Sequence, residues 1–168
     1  MSLTDLMSRS KRDLTLREKL LAKTGRGVAD CFQCMKCTSG CTALKLLELK
    51  PHEIMRLVEW GFLEELVSSD IIWTCATCLK CTERCPQKAS PYHAIMALRN
   101  IAVEKEVKVP EAYLKAVSRI LETGLAESVQ KIVTKEAATT NREILKLPKI
   151  PNPKSDFQAV FTKILEEK

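Results

Sequence analysis

The sequence has no apolar run of eighteen residues, so nothing in it reads as a membrane span. Aromatic side chains make up 5% of the chain, and no stretch joins a basic stripe to interleaved aromatics, the pattern of a nucleic-acid binder. A glycine-rich phosphate loop, a dinucleotide fingerprint and a nucleophile set beside a base are all missing. These absences exclude nucleotide or flavin binding and substrate turnover on this chain. Strand-like alternation of useful length is also missing, and nearly every segment has helical periodicity instead, so the expected class is all-α. Met1 to Lys11 is polar and lacks the apolar centre of a secretory signal, which predicts a reducing, cytoplasmic setting.

Cysteine is confined to two short runs. They read Cys31-x-x-Cys34-x-x-Cys37-x-x-x-Cys41 and Cys75-x-x-Cys78-x-x-Cys81-x-x-x-Cys85-Pro86, and they account for all eight cysteines. This spacing is that of a chain holding two [4Fe–4S] clusters, the equipment of a protein that moves single electrons. Three thiolates at three-residue intervals can grip three irons of a cubane from one turn. The longer gap carries the fourth away, and in two-cluster ferredoxins it ligates the other cluster. The expected ligands are therefore Cys31, Cys34, Cys37 and Cys85 for one cluster, and Cys75, Cys78, Cys81 and Cys41 for the other. Structural zinc would want two separated C-x-x-C knuckles, and a disulfide framework would want an oxidising compartment; the pattern fits neither. The formal net charge is +6, and roughly −4 from two oxidised clusters on eight thiolates leaves little basic excess to explain.

The runs are copies of one another at an offset of 44 residues, with Met35, Lys36 and Thr38 opposite Leu79, Lys80 and Thr82. An approximate twofold is implied. It is broken after the fourth cysteine, where Thr42 stands opposite Pro86. Proline has no N–H to offer a sulfur, threonine does, and hydrogen bonds to sulfur raise reduction potential, so the two clusters are expected to differ in potential. Lys36 and Lys80 read either as charges that offset the thiolate cages or as solvated surface lysines. His52 and His93, at helix starts, read as cap or surface residues rather than iron ligands, and Trp60 and Trp73 as core or cluster-covering residues.

Outside the runs, Thr15 to Glu18 resembles a capping box opening a helix that ends near Gly25. Thr42 to Leu49 is apolar enough for a short buried helix. Pro51 opens another, with Ile54, Leu57 and Val58 on one face and a stop at Gly61, and Phe62 to Val67 continues as a short turn. Ser90-Pro91 starts a helix that turns Ile95, Leu98 and Ala102 inward. Residues 1–110 thus form the expected two-cluster domain. Residues 111–168 form a helical extension. Pro110 opens a helix with Tyr113, Ala116, Val117, Ile120 and Leu121 on one stripe, ended by Gly124. Leu125, Val129, Ile132 and Val133 repeat the pattern. Leu147 to Pro153 reads as a proline-stiffened linker, and Ser155 caps a last helix striped with Phe157, Val160, Phe161, Ile164 and Leu165. That helix is too short to stand alone and must pack on this chain or in a partner's groove.

Two such runs in a helical chain, with Leu49-Lys50-Pro51-His52-Glu53-Ile54 after the first and Pro91-Tyr92-His93-Ala94 after the second, resemble the C subunit of heterodisulfide reductase over roughly residues 15 to 110. The same α-helical ferredoxin module occurs in the iron–sulfur subunits of fumarate reductase and succinate dehydrogenase and in glycerol-3-phosphate dehydrogenase C subunits, usually fused to another domain. The resemblance implies an α-helical ferredoxin with a helical C-terminal extension and the eight cysteines as ligands. It also implies a hetero-oligomeric role, relaying electrons between a flavin-bearing subunit and a catalytic subunit with cysteine-rich CCG motifs. Members of the family serve methanogenic heterodisulfide reduction or, in sulfur-oxidising organisms, the reverse direction. The missing proline after Cys41 and the extension beyond Pro110 depart from its pattern and lean toward the second branch. The rival readings are a diffusible two-cluster ferredoxin serving several enzymes, and a scaffold whose clusters only hold the fold.

Overall fold

The computed structural model describes residues 3–9, 11–24, 27–127, 132–133, 135, 139–149 and 155–166. Its helices are α1 (Leu3–Arg9), α2 (Leu14–Thr24), α3 (Lys36–Ser39), α4 (Pro51–Trp60), α5 (Glu64–Ser68), α6 (Lys80–Glu83), α7 (Pro91–Glu104), α8 (Glu111–Thr123) and α9 (Ser155–Glu166). Two 3-10 turns, Val28–Asp30 and Asp70–Thr74, lead into the two cysteine runs. Packing divides the chain into two units, Met1–Val109 and Pro110–Lys168. Among the described residues no helix is long and apolar enough to cross a membrane.

The first unit is assembled around α7. Pro91 supplies a preset φ at its first position, and Ala94, Ile95, Leu98, Ile101 and Ala102 are all buried. The alanines let neighbours approach closely, and α2, α4, α5 and α6 all pack against this one helix. From α4 come Ile54, Met55, Leu57 and Val58, from α5 Leu66, and from α2 Leu20, each within 1% of complete burial. Gly61 ends α4 at φ 82°, a left-handed geometry that only glycine takes at no cost, and its N–H returns to the Val58 carbonyl. Lys19 and Lys23 of α2 both pair with Glu104 at the last turn of α7, and these bonds hold the Glu104 carboxyl down at about 2.

Several local expectations change. The start of α2 is capped by Asp13, whose carboxylate accepts the Leu16 N–H at 2.8 Å, and Thr15 lies inside the helix. Asp13 is the better placed acceptor, two residues ahead of the expected cap. Residues 42–46 form a turn and not a helix, and Leu46 is 75% exposed. Proline at 51 forces the residue before it out of helical geometry, and Lys50 is extended at ψ 154°, so too little chain remains after Cys41. Ser90 precedes α7 but does not cap it; its hydroxyl bonds to that of Thr82 at 2.7 Å. The helix α1 went unread in the polar N-terminal stretch, although Met7 packs against the core.

In the second unit Gly124 ends α8 in left-handed geometry at φ 72°. The helical repeat expected beyond it does not continue: Ile132 and Val133 pair antiparallel with Thr140 and Thr139. Four β-branched residues favour extended backbone, and this two-residue ladder is the exception to helix among the described residues. Val129 lies outside them, as do residues 150–153 of the expected linker, while Leu147 to Lys149 are irregular. Helix α9 packs against α8, and the Gln158 amide donates to the Leu121 carbonyl at 2.9 Å. Phe157 and Phe161 meet at 5.8 Å, yet Val160 and Ile164 on the same stripe are 58% and 63% exposed. No side chain of α8 is fully buried.

The contrast between the units predicts where mutations hurt. Leu98→Ala should cost about 2–5 kcal/mol of stability by opening a cavity at the centre of the first unit. Val160→Ala should change stability by less than about 0.5 kcal/mol. Chemical denaturation of the two variants checks this, and equal losses would contradict the packing described.

Candidate iron–sulfur centres

Each cysteine run is built the same way. A 3-10 turn delivers the first cysteine, Cys31 or Cys75, in extended geometry. Two left-handed residues follow at matched positions, Gln33 (φ 54°) and Met35 (φ 62°) in the first run, Thr77 (φ 50°) and Leu79 (φ 62°) in the second. A single helical turn, α3 or α6, then carries the third cysteine, and the fourth lies just beyond. Alternating left-handed residues curl the chain so that N–H groups face inward, the arrangement that cups anions. The N–H of Gln33 approaches Cys31 and that of Lys80 approaches Cys78. Helices α3 and α6 pack on each other, which brings the two curls side by side. The copies also differ just before the fourth cysteine, where Arg84 occupies the space a side chain on its counterpart Gly40 would need, and donates to Ser39 Oγ at 3.4 Å.

This arrangement creates two cavities. One is lined by Cys31, Cys34, Cys37 and Cys85. The other is lined by Cys75, Cys78, Cys81 and Cys41. Pro91 at the start of α7 borders both. All eight thiols are free, and among the described residues no three of them converge closely enough to hold a single ion. They ring a space rather than a point. Four soft sulfur donors around an apolar-walled cavity suit an iron–sulfur cubane in each, so the residues present fit the group.

Hydrogen-bond donors reach the sulfurs from outside the ring. Gln33 Nε2 donates to Cys31 Sγ at 3.4 Å, and Thr42 Oγ1 donates to Cys78 Sγ at 3.2 Å. Burial raises the free thiols of Cys31, Cys37 and Cys81, that of Cys37 to about 11, while the Thr42 hydroxyl draws Cys78 below its ordinary value. The N–H of Tyr92, in the first turn of α7, is directed at Cys81. Cys34 and Cys78 are exposed, and Phe32, Met35 and Leu79 leave apolar rims around the cavities, Phe32 at 71% exposure.

Other residues singled out in the sequence fall in varied places. Lys36 and Lys80 are exposed and border one cavity each. His52 also borders the first cavity, but its Nδ1 is 2.8 Å from Thr38 Oγ1, and burial lowers its pKa. His93 lies edge-on to Tyr92. Neither tryptophan lines either of these two cavities: Trp60 lies beneath Arg56 at 5.1 Å and Trp73 beneath Arg99 at 5.3 Å. Arg99 is the residue that sequence reasoning missed. It is buried on α7, and it donates to the carbonyls of Ile72, Trp73 and Cys75 at 2.9, 3.2 and 2.8 Å, clamping the approach to the second run. The only signal for it was an arginine among apolar positions on a helix.

A helical frame carrying two four-thiol cavities built from a repeated cysteine run defines a two-cluster iron–sulfur module. Residues 30–90 match the family model of the 4Fe-4S dicluster domain. Curated relatives point the same way. The C subunit of the H(2):CoB-CoM heterodisulfide,ferredoxin reductase of Methanothermobacter thermautotrophicus is 29% identical over 71% of this chain and 64% of its own length. The iron-sulfur C subunit of the CoB--CoM heterodisulfide reductase of Methanopyrus kandleri is 33% identical over 59% of this chain and 51% of its own. The C subunit of the Ferredoxin:CoB-CoM heterodisulfide reductase of Methanosarcina mazei is 32% identical over 79% of this chain and 78% of its own. This chain belongs to the family of heterodisulfide reductase C subunits, and its cofactors are two [4Fe–4S] clusters. It spans less than two thirds of the length of the first two of these relatives.

The left-handed residues carry a testable cost. Thr77 is β-branched, exposed and held at φ 50°, a conformation worth about 1–2 kcal/mol of strain. Thr77→Gly should therefore stabilise the cluster-loaded protein by about 1 kcal/mol, read as a higher melting temperature with unchanged visible absorption. A lower melting temperature would argue against stored strain there.

Proposed function

We propose that this chain is the electron-relaying iron–sulfur subunit of a heterodisulfide-reductase-type complex. It passes electrons between a flavin-bearing subunit and a catalytic CCG-motif subunit in thiol–disulfide or sulfur-oxidation chemistry of the cytoplasm. The observation that carries this reading is the pair of adjoining cavities, each lined by three cysteines of one run and the fourth of the other. Bound there, the clusters supply one-electron redox chemistry. The chain's own contribution is to fix eight sulfurs, keep water from the apolar walls and aim N–H and O–H donors at selected thiolates. In this proposal Cys31, Cys34, Cys37 and Cys85 hold one cluster, and Cys75, Cys78, Cys81 and Cys41 the other.

The relatives are named as subunits of reductases of the CoB–CoM heterodisulfide, which supports a place in a complex. Apolar rims at Phe32 and Leu79, and the exposed Val160 and Ile164 of α9, are surfaces for its partner subunits. A small diffusible ferredoxin gains nothing from leaving such side chains in water. The domain division proposed is a cluster-binding part in residues 1–110 and a partner-docking extension in 111–168.

Two experiments bear on this. In Cys41→Ser, loss should fall on the cluster of the Cys75–Cys81 run, and in Cys85→Ser on that of the Cys31–Cys37 run, as read by electron paramagnetic resonance. Loss of the same-run cluster in both would refute the crossed ligation. Anaerobic purification from the native extract should bring down a CCG-motif protein and a flavoprotein with the full chain. A chain ending at Val109 should keep both clusters and lose those partners. Recovery of the full chain alone as a monomer would sink the complex-subunit reading in favour of a diffusible ferredoxin. Lipoate-linked companions would assign the sulfur-oxidation branch.

A further inference from the structure

The two copies of the repeat differ at a contact that matters for redox chemistry. Thr42 follows the fourth cysteine of the first run, and its hydroxyl donates to Cys78 Sγ at 3.2 Å, across to the cavity that Cys41 shares. The counterpart of Thr42 in the second run is Pro86, which borders the first cavity and has neither a hydroxyl nor an N–H to give the sulfur of Cys34. The Tyr92 N–H, at the N-terminal end of α7, adds a donor to Cys81 of the same second cavity. At the matching start of α4, the His52 N–H is bonded to Thr38 Oγ1 at 3.4 Å. The first cavity has a side-chain donor of its own, Gln33 Nε2 on Cys31 Sγ at 3.4 Å, but the Thr42 contact in the second cavity is the shorter of the two and is joined there by the Tyr92 N–H.

We propose that Thr42 is a positioning residue that makes the cluster held by Cys75, Cys78, Cys81 and Cys41 the more readily reduced of the two. This rests on the two-cluster relay reading above. Reduction adds one electron and takes the site's total charge from about −2 to about −3, with no bond made or broken and no proton moved. A hydroxyl aimed at a ligand sulfur interacts more strongly with the more negative state, so it favours the reduced form. Electrons arriving at the first cavity therefore run downhill to the second, and the acceptor subunit takes them from the Cys78 side. Cys34 and Cys78 are both exposed, so each cluster has a short route to a partner subunit.

The test is a potentiometric titration of the full chain with dithionite as electron donor, followed by electron paramagnetic resonance. Wild type, Thr42→Val and Thr42→Ser are compared after iron and sulfide analysis has established two clusters per chain. The valine variant should lower the reduction constant of the higher-potential cluster about tenfold, a shift of about 59 mV, and leave the other midpoint alone. Thr42→Ser, which keeps the hydroxyl, should restore the wild-type value. Pro86→Thr provides an independent arm, since a donor placed at the first cavity should raise the lower midpoint and narrow the gap. Unchanged midpoints in a variant that retains both clusters overturn the proposal and leave the relay reading standing. A wild-type chain with fewer than two clusters overturns the reading itself.

Discussion

A small protein that must keep two cofactor sites open cannot fill them with side chains, so cohesion has to come from the walls. Here the wall is α7, whose buried residues run from Pro91 to Ala102 and which is contacted by α2, α4, α5 and α6. Its first residue, Pro91, stands between the two cavities, Arg99 in its middle clamps the carbonyls leading to Cys75, and Glu104 at its end takes two lysines from α2. One helix thereby couples the hydrophobic core to the positions of the sulfurs. A buried guanidinium satisfied by three carbonyls is costly to disturb, which makes the approach to the second run stiff.

Cys31, Cys75 and Cys85 pack against the core, and the thiols gain their main cohesive role when they are bridged. Burial raises three of them, so without clusters they are held as neutral groups on cavity walls. Thiolate bonding to iron releases those protons and joins the first run to the second. Cofactor loading and folding of the first unit are in this sense one process. The second unit, with no fully buried side chain on α8, draws on a different source of order.

Much of this was legible from residue types. The cysteine spacing pointed to the cofactor, and proline and glycine marked the ends of α4, the start of α7 and the end of α8, because both residues act through their own backbone. What escaped depended on distant partners. Asp13 and Thr15 are equally good caps on paper, and only the fold chooses between them. Residues 42–46 have helical composition, but the constraint set by Pro51 outweighs it. Ile132 and Val133 fit a helical stripe until Thr139 and Thr140 arrive to pair with them. Arg99 could not be recognised as a clamp because the carbonyls it binds belong to residues more than twenty positions away. The left-handed pairs at Gln33, Met35, Thr77 and Leu79 carry no glycine to betray them; the strain is visible only in the backbone.

Gly40 and Arg84 occupy the same place in the two copies of the repeat, and the arginine lies in the space left by the glycine. The shape of each half is now complete only against the other. Two first halves joined together would leave an unfilled notch on both sides, and two second halves would drive two guanidinium groups into one volume. At this contact the two halves are recess and projection, and neither can stand in for the other.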